Sequence, residues 1–360
     1  MQTELNIIRH DIHAHPETAM KEIRTSALVA SDELGYGSIG LRADMDALEI
    51  NEQNNLPYMS TVPGLMHACG HDGHTTMLLG AAKHLAEHRD SFRGTVHFIF
   101  QPAEEKENGA LTMINDGLFD RFPMDAIYGL HNSAGISVGQ FATRSGPYMA
   151  ASGTWIVTFR GTGGHGATPH LATDVTVLLA QFIVSLQTIV SRNVAPMDAA
   201  VISVGVIQSG SFSSLNVLPS EIRVGGTTRS YTREVRDTIE RRIQELAQGL
   251  ATSFGCTAEV VFHRKGSPLV NDLLSTQRAI KVAETLVGPE NVDGNAAPIM
   301  SSEDFAEFLE KKAGAFISMG IGNRNGELHS PTYNFNDNAT IFGVGYWVSL
   351  VQQELHISKL

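Results

Sequence analysis

Apolar and polar positions alternate along the chain in two rhythms. From Leu5 to about Leu34 apolar residues fall at helical spacing in a polar, histidine-containing background, and Gly35-Tyr36-Gly37 closes the segment, which predicts a helix. Ile39 to Leu41 then reads as a short buried strand running into Arg42-Ala43-Asp44-Met45-Asp46, so two acids stand just past a strand end. A loop over 51–71 leads to a helix from Gly73 to His88 with Met77, Leu78, Ala82 and Leu85 on one face. Thr95–Phe100 is a predicted strand stopped by Pro102, a helix follows over Gly109–Asn115, and Ala126–Leu130 is another strand. This succession predicts an α/β fold, in which functional residues gather beyond the carboxyl ends of the strands.

Between about residues 150 and 263 the rhythm changes. Strands at Thr154–Arg160, Val201–Ile207, Glu221–Arg229 and Ala258–Phe262, with helices at 175–191 and Arg233–Ser253, predict a self-sufficient α+β unit of four strands and two helices. After Ser267-Pro268 the α/β pattern resumes, with helices at Ser275–Leu286, Glu303–Lys311 and Ala339–Leu355 and a strand at Ala315–Met319. The expected organisation is one domain made of residues 1–149 and 264–360, interrupted by an inserted smaller domain at 150–263.

Composition narrows the classes. In 360 residues, 42% are hydrophobic and 18% charged, which suits a chain with a large buried core and excludes disorder. A formal charge of −12 without a basic patch argues against nucleic acid and against anionic membrane surfaces as partners. The apolar stretch 175–191 is interrupted by Thr176, Gln181, Ser185, Gln187 and Thr188, so it reads as an amphipathic helix and not as a membrane span. Two cysteines, Cys69 and Cys256, and an N-terminus without a signal-like apolar run point to a reducing cytoplasm. The final Ser358-Lys359-Leu360 would act as a peroxisomal address only in a eukaryotic host.

The densest chemistry lies in His67-Ala68-Cys69-Gly70-His71-Asp72-Gly73-His74, where a thiol and an imidazole flank a glycine and can bend onto one cation. The same run could simply cap the next helix, with Asp72 as the cap, or present Cys69 as a nucleophile. Glu104 and Glu105 follow a buried strand directly; adjacent carboxylates near a core are costly unless a cation neutralises one. One can then ligate while the other serves as general base to water. His131 ends a strand and His329 lies in a polar loop. One Cys, three His and one Glu suit two divalent ions, Mn or Zn, with Co or Ni as alternatives. In the inserted unit, the Gly161–His170 loop lacks the ending of a phosphate cradle; its His165 can donate to a developing oxyanion, and Asn216 with Arg229 can grip a carboxylate.

Together, Leu41–Leu48, His67–His74, Gln101–Glu105, Gly129–Asn132, Gly163–His170, Ser302–Phe305 and Leu328–Pro331 resemble, in order, the N-acyl-amino-acid amidohydrolases. These are the hippurate hydrolase, N-acetyl-diaminopimelate deacetylase and indole-acetyl-amino-acid hydrolase branch of the aminoacylase and carboxypeptidase metallohydrolases. The resemblance implies a two-metal catalytic domain with an inserted lid that commonly forms a homodimer. It implies Cys69, His71, Glu105, His131 and His329 as metal ligands, Glu104 as the base, His165 polarising the scissile carbonyl, and Asn216 and Arg229 holding the amino acid carboxylate. The substrate expected is a small N-acyl amino acid, cleaved at its amide. Between Gly35-Tyr36 and Ile39 the chain is shorter than the family pattern by about a strand and its loop, and Val175, Ser301 and Ser330 replace a usual proline, glycine and asparagine. The alternative to an active hydrolase is a non-catalytic metal-holding relative spoiled by that shortening.

Overall fold

The structure, a computed structural model, describes residues 1–18, 20, 37–106, 108–322 and 326–356. The Gly35-Tyr36 stop, the shortening beside it and the C-terminal tripeptide fall outside the described residues. The first half runs α1 (Gln2–Ala14), β1 (Ser38–Asp44), α2 (His71–Glu87), β2 (Thr95–Gln101), α3 (Gly109–Asn115), β3 (Ala126–Ala134), β4 (Phe141–Ala142) and β5 (Gly146–Met149). Next come β6 (Ala151–Arg160), β7 (Gly164–His165), α4 (Val175–Thr188), β8 (Ala200–Gln208), β9 (Val217–Leu218), β10 (Glu221–Ser230), α5 (Arg233–Ser253) and β11 (Thr257–Gly266). The chain closes with β12 (Leu269–Asn271), α6 (Leu273–Val287), β13 (Val292–Asp293), α7 (Phe305–Leu309), β14 (Gly314–Gly322) and α8 (Thr340–Glu354).

Two compact units result, one of residues 1–148, 270–297 and 304–360, the other of 149–269 and 298–303. Residues 264–269 and 298–303, expected in the larger domain, therefore fold with the smaller one, because β11 runs on to Gly266 and Ala150 N–H donates to the carbonyls of Ile299 and Ser301.

The larger unit is built on a six-stranded sheet of order β13-β4-β14-β3-β1-β2. β1 pairs in parallel with both β2 and β3, and β14 in parallel with β3. Strands buried on both faces read as continuous apolar runs, which is why Ile127 to Leu130 and Ala315 to Met319 carry almost no polar residue. From β1 the chain goes to β2 on one side and then to β3 on the other. The crevice beyond the carboxyl ends of β1 and β3 is thus the switch point where open α/β sheets place their ligands.

The helix expected from Leu5 to Leu34 ends, among the described residues, at Ala14. His15 leaves helical geometry because Pro16 follows it and disfavours a helical conformation at the residue before. Strand β3 continues four residues past its expected end, so His131 lies inside the strand and not at its tip. The helix expected over Glu303–Lys311 contracts to α7.

The smaller unit is an antiparallel sheet of order β11-β6-β10-β8 with α4 and α5 packed on it. Trp155, Val157 and Phe159 alternate inward along β6 and meet Phe182 of α4, with ring centroids 6.1 Å and 5.2 Å from Trp155 and Phe159. On α5, Val235, Ile239, Ile243, Ala247 and Ala251 repeat every four residues and form its buried stripe, and Thr232 Oγ1 caps the helix by accepting from Val235 N–H. The apolar segment 175–193 is long enough to cross a membrane, but Leu178, Leu179, Phe182, Leu186 and Ile189 bury its inner face in this core. It is a core helix whose outer face exposes Val177 and Val184.

Helix α1 is fastened to the larger unit by charge. Arg9 and His13, both fully buried, meet the buried Asp72: Arg9 Nη1 donates to Asp72 Oδ2 at 2.9 Å and His13 Nδ1 lies 2.8 Å from the same oxygen. Burial works against a charge on His13, but hydrogen bonds to Asp72 and Glu52 outweigh it and lift the pKa from 6.5 to about 9. Since the folded value is the higher, this contact stabilises fully below pH 6.5 and is lost as pH rises through about 9. Chemical denaturation of the wild type and His13→Gln at several pH values should show a stability gap that is largest at about pH 6 and shrinks steadily toward about pH 10.

Candidate metal centre

The site begins with a left-handed residue. Gly70 has φ +91°, and a Cβ there would lie 2.1 Å from Asn132 Oδ1 and 2.5 Å from the Tyr333 hydroxyl, so only glycine lets the loop turn into α2 against β3. Helix α2 starts at His71, two residues before the sequence pattern suggested, and Gly70 occupies the cap position. Asp72 is therefore not the cap; it lies in the first turn, accepts from Gly73 N–H and is held by α1. The early start puts His71 and His74, three residues apart, on one buried face.

Around this turn the structure gathers all five residues expected as ligands. Cys69 Sγ lies 3.5 Å from His131 Nε2 and 3.3 Å from His329 Nε2, and His329 Nε2 lies 3.2 Å from Glu105 Oε1. Cys69, His71 and Glu105 each offer a ligand atom within 4.8 Å of the others. His329, at φ +64°, is held by its N–H donating to Ala68 O, an uncommon conformation for a bulky residue and of the kind found at functional sites. Glu104 follows Ala103, which also adopts positive φ, and is half-buried; its charge is felt at the Cys69 thiol.

The electrostatics are those of a site short of positive charge. Burial, reinforced by the charge of Glu105, pushes the Cys69 thiol well above its usual pKa. Burial opposes a charge on His71, yet the Asp44 carboxylate and the hydrogen bond to Asp46 override it and raise this imidazole. His131 is pushed down to about 3, first by burial and then by the neighbouring His74, so it is neutral. His329 is raised by its hydrogen bond to Glu105. His71 Nδ1 is 3.1 Å from Asp46 Oδ1, while its buried Nε2 has no hydrogen-bond partner among the described residues and lies 3.7 Å from Asp44 Oδ2. Buried polar nitrogens seldom lack a hydrogen bond, and a carboxylate on one ring nitrogen with the other left open is how a metal-ligating histidine is usually held.

Of the two acids expected past the strand, Asp44 is the last residue of β1 and only Asp46 lies beyond it; both, with Arg42, have parts that the sequence pattern did not assign. Asp46 links two of the gathered residues, accepting from Glu105 N–H at 3.0 Å while it lies 3.1 Å from His71 Nδ1. Asp44 is gripped by Arg42 Nη1 at 2.7 Å, and Arg42 reaches on to Asp304 at 3.0 Å. The spacing Asp-X-Asp at a strand end, placing both carboxylates on one side, was the available signal. His67, in the same run, is buried with neither ring nitrogen paired, and burial takes it down to about 4; it is neutral and stands apart from the cluster around Cys69.

His165, Asn216 and Arg229 belong to the smaller unit. His165 and Asn216 are brought together by the two-stranded ribbon of β7 and β9: His165 pairs with Val217, and Gly166 N–H donates to Asn216 O. Both side chains are exposed. Arg229, half-buried near the end of β10, donates instead to the carbonyls of Met300 and Thr228.

A thiol, three imidazoles and paired carboxylates at the switch point of an open α/β sheet form the donor set of a metallohydrolase. Residues 40–353 match the model of peptidase family M20/M25/M40, and the chain belongs to that family. It is 37% identical to a hippurate hydrolase of Campylobacter jejuni, over 99% of this chain and 97% of that protein. An N-acetyl-L-cysteine deacetylase of Bacillus subtilis is also 37% identical, over 95% of this chain and 86% of the relative. Among solved structures, a dinuclear metal binding peptidase of the M20 family from Bacillus subtilis superposes with a TM-score of 0.84 at 30% identity, covering 98% of each chain.

Replacing Gly70 by alanine combines left-handed strain with collision against Asn132 and Tyr333. The variant should lose at least about 1 kcal/mol of stability and bind metal more weakly, checked by denaturation and by elemental analysis after dialysis.

Proposed function

We propose that this protein hydrolyses the amide bond of small N-acyl amino acids, releasing a carboxylic acid and a free amino acid, with two divalent ions held at the cluster around Cys69. The observation that carries this reading is the convergence of Cys69, His71, Glu105, His131 and His329 about one point, with His71 Nε2 buried and making no hydrogen bond among the described residues. A soft thiolate beside imidazoles and a carboxylate suits zinc or manganese, with cobalt or nickel as substitutes. Such ions, when bound, polarise a carbonyl and make water a nucleophile at neutral pH. Glu104, half-buried and next in the chain to Glu105, takes the proton of the attacking water and delivers it to the leaving nitrogen. On the smaller unit, His165 is a hydrogen-bond donor of the kind that suits an oxyanion, and Asn216 and Arg229 are groups of the kind that suit a carboxylate.

A cysteine nucleophile is a poorer account. It wants one activating base and a stabilised thiolate, whereas Cys69 is buried beside Glu105, whose charge works against the thiolate. We further propose a homodimer through the smaller unit. There β8 is an edge strand exposing Val201, Val206 and Ile207, and Val177 and Val184 of α4 are exposed as well; an open apolar edge is a ready template for a second copy. Two free cysteines suit a reducing cytoplasm.

The test is hydrolysis of N-acetyl-, N-benzoyl- and indole-acetyl-amino acids after chelation and after return of manganese or zinc. Turnover should vanish with chelation and return with metal; chelator-insensitive turnover would favour the cysteine nucleophile, and none from folded, metal-loaded protein the non-catalytic relative. Glu104→Ala should lower kcat by at least about 100-fold while metal content stays near that of the wild type, whereas Cys69→Ala should lose metal.

A further inference from the structure

His74 lies one turn beyond His71 and, with Asp44, His71 and His131, forms a second cluster whose ligand atoms fall within 4.8 Å. By distance alone it is a candidate ligand. Its hydrogen bonds exclude that role. The backbone N–H of Asn132 donates to His74 Nε2 at 2.9 Å, and an N–H can only donate, so Nε2 is the unprotonated nitrogen and its lone pair is already used. The proton then sits on Nδ1, 2.5 Å from Asp44 Oδ1, which accepts it. Both nitrogens of a side chain only 1% exposed are spent.

Asn132 faces the other way through its carbonyl, which accepts from His131 Nδ1 at 2.6 Å. A carbonyl cannot donate, so His131 carries its proton on Nδ1 and its free lone pair on Nε2, the atom 3.5 Å from Cys69 Sγ. The His74 and His131 rings also meet edge to face, with centroids 4.5 Å apart. One residue of β3 thus joins the two histidines. Behind His74 the bonds continue to Asp44, Arg42 and Asp304, all buried.

We propose that His74 is a positioning residue which, by clamping the Asn132 backbone, fixes the tautomer and direction of His131 so that Nε2 presents a lone pair to the centre at Cys69. This rests on the metal-centre reading above. Outer-shell partners of this kind are typically worth 10- to 100-fold in metal affinity.

The experiment compares His74→Gln, His74→Asn and His131→Ala in the full-length protein, reading metal stoichiometry, affinity by chelator competition, the visible spectrum of the cobalt-substituted protein, and kcat against KM. Gln can offer an acceptor near the position of Nε2; Asn can offer a donor to Asp44 but falls short of Asn132 N–H. His74→Asn should bind one of its two ions about 10- to 100-fold more weakly, with an altered cobalt spectrum and a fall in kcat larger than any change in KM. His74→Gln should restore affinity and spectrum to within a few-fold of the wild type. Loss of a whole metal equivalent in both His74 variants would make His74 a ligand and overturn the proposal. Equal, small effects in both, with melting temperature lowered but affinity and spectrum unchanged, would reduce it to packing and overturn it too. The control separates the two readings: His131→Ala should lose one ion, and if it binds metal like the wild type, the metal-centre reading has failed and not only the role of His74.

Discussion

The carboxylate of Asp44 is fully buried at the end of β1, and the neighbouring architecture is arranged to make that tolerable. A lone buried carboxylate would take up a proton instead of staying charged. Arg42, two residues earlier on the same face of the strand, and His74 on α2 both bond to it, and its pKa lies far below the usual carboxylate range despite the burial that opposes this. These bonds join a strand of the sheet to a helix above it. They also divide the histidines of α2: His74 is consumed by the frame, whereas His71 Nε2 makes no hydrogen bond among the described residues and lies 3.7 Å from Asp44 Oδ2.

A second buried carboxylate repeats this logic one turn away. Asp72 is held by Arg9 and His13 of α1, so α1 and α2 share an anion in the way that β1 and α2 share Asp44. Breaking either arrangement by removing one partner leaves an uncompensated buried charge, costing about 3–5 kcal/mol. The site is therefore rigid for electrostatic reasons as much as for packing. The smaller unit shows the opposite economy: its ion pairs, such as Arg160 with Glu221 and Glu259, are exposed and worth little, and its stability rests on the Trp155, Phe159 and Phe182 cluster.

Much of this was legible from residue order. The periods of two and 3.6 located α3 and α5 at their observed limits and most strands to within a few residues, because those elements bury a face whose spacing the chain must repeat. The convergence of Cys69, His71, Glu105, His131 and His329 was legible for a different reason: Cys, His and Glu near strand ends have few other uses in such numbers. Errors fell where local signals compete. Pro16 ended a helix that apolar spacing would have carried on, and Gly70 began α2 two residues early because a left-handed glycine, not an aspartate cap, opens it.

The sequence by itself determined the fold class, the family and the five residues that converge, since periodicity and side-chain chemistry are properties of the chain read in order. Only the tertiary structure decided the division of labour among the histidines. His71 and His74 are three residues apart and chemically identical, yet among the described residues Nε2 of the first makes no hydrogen bond while Nε2 of the second accepts from a backbone N–H. The difference lies in an N–H from β3 and carboxylates from β1 and the loop after it, groups up to 58 residues away in the chain. A proton's position on an imidazole is set by what faces each nitrogen, and only folding brings those groups together.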